Sequence, residues 1–295
     1  MGIYTSKTDE ITRQYFDSIM FTPRYLDSDL ADTTTELFGR TFDTPITTAA
    51  LSHLHKICDN ALYEFARGAK LAGAVHFYGM SEEDELDTML SAGAATIKVI
   101  KPHLDDEVIF RKIKHAVDGG AFGVGMDIDH AIAWNGGYDN VLGLPMHTKT
   151  TAQLASYVKA AGIPFVVKGV LSIADAVKSA EAGAAGIIVS HHHGMMDSMV
   201  PPLMMLPEIK KELGDRVKIF VDCGFERGLD VFKALALGAD AVCIGRALMD
   251  PLKQKGEGVA EKINEMNREL KAAMARTGAR TIKEIDPSVL RFRSF

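Results

Sequence analysis

Eight short apolar runs recur along the chain, and most of them stop at a polar residue or a glycine. They are Pro45–Ala50, Leu71–Phe77, Ala94–Ile100, Phe122–Ile128, Pro164–Lys168, Gly186–Ser190, Lys218–Asp222 and Ala239–Gly245. Stretches of helical periodicity, such as Ser172–Gly183 and Leu229–Gly238, separate most of them. Eightfold strand–helix alternation in one compact length predicts an α/β fold, a closed (β/α)8 barrel. The C-terminal strand ends of such a barrel face the ligand, which nominates Lys98, Asp127, Lys168, Ser190, Asp222 and Gly245.

The remaining segments fit one domain over residues 1–295. Residues 1–40 read as a polar lead-in, 41–250 as the barrel, and 251–295 as an amphipathic helix (Gly256–Ala275) followed by a tail. One connection is long. After strand four it runs through His130, Trp134, Asn135, Gly136, Gly137, Tyr138 and Pro145 before a helix at Thr151–Ala161. A loop of that length in a compact domain reads as a lid over a binding site.

Composition narrows the function. A net charge of -6 disfavours nucleic acid as a partner. No apolar run nears the roughly 20 residues that span a bilayer, and the first residues lack a secretory pattern. Cys58, Cys223 and Cys243 have no metal-ligand spacing and read as reduced thiols of a cytoplasmic protein. The expected partner is a small-molecule substrate, with no membrane and no structural metal.

Strands seven and eight carry the clearest chemistry. DCGFERGLDVFKALALGADAVCIGRAL ends one strand at Asp222 and Gly224 and the next at Gly245 and Arg246. Glycine lets the backbone approach an anion, and a following helix N-terminus presents free N–H groups. Phosphate sites in barrels use this corner, and Arg246 is suited to grip such a group.

That segment, the preceding VVKGVLSIADAVKSAEAGAAGIIVSHHHG and the upstream IMFTPRYLDSDLADTTTELFGRTFDTPITTAA together resemble the FMN-dependent 2-hydroxy acid oxidase and dehydrogenase family. The resemblance runs from about Phe16 to Pro251, most of the chain, with several blocks in order. It implies FMN as cofactor, an oxidoreductase activity, and a homo-oligomer of four or more subunits. Lys168 would lie near the flavin N1 and O2, and Ser190 would bond the ring edge. Ala50, Leu51 and Ser52 would press backbone against the ring near N5. Asp222, Gly224, Gly245 and Arg246 would surround the phosphate. The family's further phosphate arginine is Glu226 here, with Arg227 as a neighbouring substitute. The resemblance puts the catalytic base at His192, or at His193 with one residue inserted, and its orienting carboxylate at Asp129. An imidazole is the right group to take a proton from a hydroxyl near neutral pH.

Departures from the family redirect the substrate. The arginines that clamp a small carboxylate are missing, with Met195 and Met196 after the histidines and Asn135-Gly136-Gly137 in the lid. Ile100 stands in place of a family tyrosine, and the N-terminal cap of the family is absent or shortened. A larger or more apolar hydroxy compound is therefore expected. Lys98 and Asp127 replace two neutral flavin-side residues on neighbouring strands, which suggests an ion pair between them. Two alternatives stay open: a non-redox flavin isomerase, similar to the type 2 isopentenyl diphosphate isomerase, and a flavin-free lyase using Lys98 or Lys168.

Overall fold

The computed structural model describes residues 6–80 and 83–293. Eight parallel strands form one sheet: β1 (Ile46–Thr48), β2 (Val75–Tyr78), β3 (Ala95–Ile100), β4 (Gly123–Asp127), β5 (Phe165–Val170), β6 (Gly186–Val189), β7 (Lys218–Val221) and β8 (Ala241–Ile244). Their order round the sheet is β1-β8-β7-β6-β5-β4-β3-β2. The edges β1 and β2 meet through a parallel bridge between Leu51 and Tyr78. There the Thr48 hydroxyl accepts the Phe77 N–H at 2.9 Å. That contact closes the ring into the (β/α)8 barrel.

Each apolar run holds a strand, because side chains on both faces are buried, inside the barrel and under the helices. The second run is shorter than its sequence suggests. Leu71 ends helix α2 (Ala61–Leu71), and the strand begins only at Val75. Between the strands lie α3 (Glu83–Leu90), α4 (Asp106–Asp118), α5 (Thr151–Ala161), α6 (Ile173–Glu181), α7 (Pro202–Leu213) and α8 (Gly228–Ala236), with α9 (Lys255–Thr277) after β8. Local chemistry sets their starts. Ser172 caps α6 by accepting the Asp175 N–H, and Thr150 forms a reciprocal capping box with Gln153 on α5.

The lead-in and the tail are ordered. Helix α1 (Lys7–Ser18) is followed by a strand at Ile19–Phe21, which pairs antiparallel with Leu290–Phe292 near the other end of the chain. A hairpin of Thr35–Leu37 and Arg40–Phe42 packs Phe38 and Phe42 against Phe122, just before β4. It thereby plugs the N-terminal mouth. The opposite mouth, where the strands end, is left for chemistry. Among the described residues no helix is long and apolar enough to cross a membrane.

Candidate active site

A buried charge network occupies the centre of that mouth. Lys168 leaves β5 in register with Asp127 at the end of β4, and its ammonium lies 3.2 Å from Asp127 Oδ1 and 3.9 Å from Asp222 Oδ2. Asp127 Oδ2 accepts from Lys101 at 2.6 Å. Burial works to raise the Asp127 pKa, but the charges of Lys168, His192 and Lys101 hold it well below the usual carboxylate range. Burial likewise works against the Lys168 charge, and Asp127, Asp222 and Asp129 outweigh it, keeping the ammonium protonated.

The expected Lys98–Asp127 pair does not form. Lys98 donates to the Gly79 carbonyl and lies over the Tyr78 ring, 4.4 Å from its centroid. Lys101, one residue past β3, takes Asp127 instead. Alternation along β3 fixes the direction of Lys98, whereas a loop residue such as Lys101 is released from it.

The three histidines after β6 diverge. His192 and His193 both have left-handed backbone, with φ of 48° and 59°, a conformation that costs about 1–3 kcal/mol each. This sharp turn aims consecutive rings at different targets. His192 Nδ1 lies 3.0 Å from Asp129 Oδ1, 3.3 Å from Asp127 Oδ1 and 3.1 Å from Lys168 Nζ. The buried Ser190 hydroxyl accepts the His192 N–H at 3.1 Å and fixes the turn. His191 Nε2 meets Thr12 of α1 at 2.9 Å. His193 faces the corner formed by β7 and β8, and burial together with the Arg246 charge lowers its pKa to about 4.

Burial disfavours the charged form of His192, but the Asp127 charge and hydrogen bonds to Asp127 and Asp129 outweigh it, so its pKa is raised. Its other nitrogen, Nε2, lies 3.0 Å from His130 Nε2. Asp127, Asp129, His130 and His192 bring one ligand atom each within 4.8 Å of one another, a spacing metal sites also use. Here the Lys101 and Lys168 ammonium groups compete for the Asp127 oxygens.

Beside this network a cavity of about 600 Å3 opens against the ends of β7 and β8. Ala49, His193, Asp222, Gly224, Gly245 and Arg246 line it, with Cys223 and Cys243. Its outer wall is mixed: Asp9, Glu10, Asp17 and Arg13 come from α1, with Arg13 paired to Asp17 and Asp230, and Glu226 comes from the loop after β7. Arg246 is held by Asp9 at 2.7 and 3.0 Å, a bidentate pair. Cys223 sits in left-handed backbone at φ 70°, and its thiol donates to Asp222.

Among the residues expected from sequence, Lys168, Asp127, Asp129, Ser190 and His192 converge on the network, and Asp222 joins it to the corner with Gly224, Gly245 and Arg246. Leu51 bridges to Tyr78 with Ala50 and Ser52 on either side, at the barrel's seam. Arg227 and Lys98 are the exceptions: Arg227 reaches Glu269 on α9, 3.6 Å away, Lys98 turns to Gly79, and neither lines the cavity. Sequence reading passed over Lys101, Asp9 and the pairing of His130 with His192. The signals for His130 were its place next to Asp129 and at the start of the long loop.

The loop that carries His130 folds back as a small hairpin, Asn140–Val141 against Leu144–Pro145. Trp134, in the preceding turn closed by the Ile132–Tyr138 bridge, is 95% exposed, and Tyr138 stacks on His147 with centroids 4.1 Å apart.

Comparison with known proteins places these observations. The model of the family described as FMN-dependent dehydrogenase matches residues 2–159 and 146–292. A glycolate oxidase of Spinacia oleracea is 30% identical over 315 residues, covering 94% of this chain and 85% of that protein. An L-lactate oxidase of Lactobacillus jensenii is 42% identical over 142 residues, which cover 48% of this chain and 35% of that one. Among solved structures, a mandelate oxidase with (S)-2-phenylpropionate superposes with a TM-score of 0.88 at 25% identity, covering 100% of this chain and 92% of that one.

Proposed function

The chain belongs to the FMN-dependent dehydrogenase family and uses FMN, and from that premise we propose that it oxidises a 2-hydroxy acid-like or larger, more apolar hydroxy compound with His192 as base. The observation that carries this reading is the hydrogen bond of the His192 imidazole to Asp129 beside Lys168. When bound, FMN supplies the hydride acceptor.

The chain's residues fit that cofactor with one adjustment. The cavity's volume lies in the range of small-molecule and cofactor sites. Gly224 and Gly245 line the cavity with bare backbone, which an anion can approach closely. Lys168 would place a fixed positive charge beside the flavin, and Ser190 would bond its edge. Asp222, Gly224, Gly245 and Arg246 would hold the phosphate, provided that Asp9 yields Arg246. Asp9→Asn is therefore expected to tighten FMN binding about fivefold, since a partly exposed ion pair is worth about 1 kcal/mol. Titrating apoprotein with FMN by fluorescence quenching checks this; weaker binding in the variant would mean that Asp9 assists the cofactor.

In the reaction His192 takes the hydroxyl proton. Asp129 fixes the ring's tautomer and, with Asp127, stabilises the imidazolium that forms. The base works only when neutral. Flavin reduction should thus rise with pH, with its midpoint above the ordinary imidazole value of about 6.5, because the His192 pKa is raised. Asp129→Asn removes one partner of the imidazolium and should move the midpoint to lower pH. A rate that falls with pH, or a midpoint indifferent to Asp129, would count against His192 as base. Homo-oligomerisation belongs to the same proposal, and light scattering tests it.

A further inference from the structure

His130 is a titratable group that the reaction above leaves unused, and it stands directly on the base. Its Nε2 lies 3.0 Å from His192 Nε2, and the two rings meet edge to face with centroids 4.3 Å apart. Its other nitrogen, Nδ1, lies 3.4 Å from the Asp139 carboxylate. Two backbone links hold that arrangement: the Asp139 N–H donates to Ala131, and the Met146 N–H donates to Asp139. The His130 and Asp139 side chains are 20% and 25% exposed. Of the base's other neighbours, Asp127 and Lys168 are buried at 5%, and Asp129, 17% exposed, meets the opposite ring nitrogen, Nδ1. His130 is thus the titratable neighbour of Nε2, the nitrogen left to take a proton.

We propose that His130 is a proton-relay residue, which caps His192 Nε2 in the resting protein and carries the abstracted proton out toward Asp139 and solvent. The idea rests on the reading of His192 as base. As the substrate carbinol gives its hydride to the cofactor, its O–H bond breaks and the proton forms the Nε2–H bond of His192. A substrate hydroxyl needs the space that His130 fills at 3.0 Å, so His130 moves aside while substrate is bound. After the product leaves, His130 returns. The His192 Nε2–H bond then breaks, its proton joins His130 Nε2, and the His130 Nδ1 proton passes to Asp139 or water. The imidazole thereby ends neutral, in its other tautomer, and ring rotation or exchange with water resets it. Burial and the nearby charges of Lys101 and His192 lower the His130 pKa to about 4. A discrete imidazolium there does not accumulate, and proton uptake and loss are coupled.

The group positions its proton path without touching the reacting carbon, so the test reads proton movement rather than turnover. In FMN-loaded protein carrying 15N-histidine, held below the His192 midpoint so that the imidazolium bears a proton on Nε2, magnetic resonance follows exchange of that proton with solvent, with no substrate present. His130→Gln should slow that exchange at least tenfold, with added imidazole restoring it, and FMN affinity should be unchanged. Asp139→Asn keeps the capping ring and should slow it by a smaller factor. Exchange in His130→Gln as fast as in the parent, or faster, overturns the relay. Slowed exchange in a protein whose flavin no hydroxy compound reduces would instead overturn the oxidase reading, and with it the relay's part in that reaction, leaving His130 only as the path by which the His192 Nε2 proton meets solvent.

Discussion

His192→Ala is expected to slow substrate-driven flavin reduction by about 10²–10⁴-fold, the contribution of a well-placed general base, while FMN stays bound. The separation follows from geometry. His192 faces Asp129, Asp127 and His130 in the central network, whereas the phosphate corner is built by Asp222, Gly224, Gly245 and Arg246. His193 lines that corner instead, so His193→Ala should alter cofactor affinity more than the rate of reduction. Stopped-flow reduction under anaerobic conditions reads the first effect and flavin fluorescence the second. Full activity in His192→Ala would remove the base assignment, and loss of activity confined to His193→Ala would transfer it.

Lys168→Met should be the most costly single change to the fold of the site. It removes the ammonium 3.2 Å from Asp127 and 3.9 Å from Asp222, with all three side chains at most 8% exposed. Breaking a buried ion pair costs about 3–5 kcal/mol because the surviving charge loses its compensation. The lower figure, about 3 kcal/mol, is expected here, since Lys101 still serves Asp127. Denaturant unfolding of the apoprotein measures this term without the cofactor. The variant loaded with reduced FMN should lose still more, because the negative charge of the reduced ring then lacks a neighbouring positive charge. Unfolding at the parent's midpoint would show that Asp127 and Asp222 do not depend on Lys168.

The barrel was legible in sequence because burial on both faces of a parallel strand leaves a run of apolar residues with little interruption. The same rule explains where reading failed. Leu71 continues an apolar run into β2 although it closes α2, since apolar residues of a helix end and a strand start look alike. The pairing of Ile19–Phe21 with Leu290–Phe292 joins segments too distant in sequence for any local pattern to reveal. At the site, strand-end residues such as Asp127 and Lys168 were readable from alternation. Lys101 and His130 lie just beyond strand ends, where side-chain direction depends on the loop. Asp9 was hidden differently: its role arises from the way α1 crosses the corner, a tertiary fact. Its charge nevertheless bears directly on how Arg246 is presented to a phosphate.

Anaerobic mixing of the FMN-loaded protein with a graded set of 2-hydroxy acids, from short aliphatic to long or aromatic, tests the central claim most directly. Loss of the oxidised flavin's visible band is expected with at least one longer member, faster at higher pH, and abolished by His192→Ala. A flavin that stays oxidised with every hydroxy compound, in a protein that retains FMN, would contradict it.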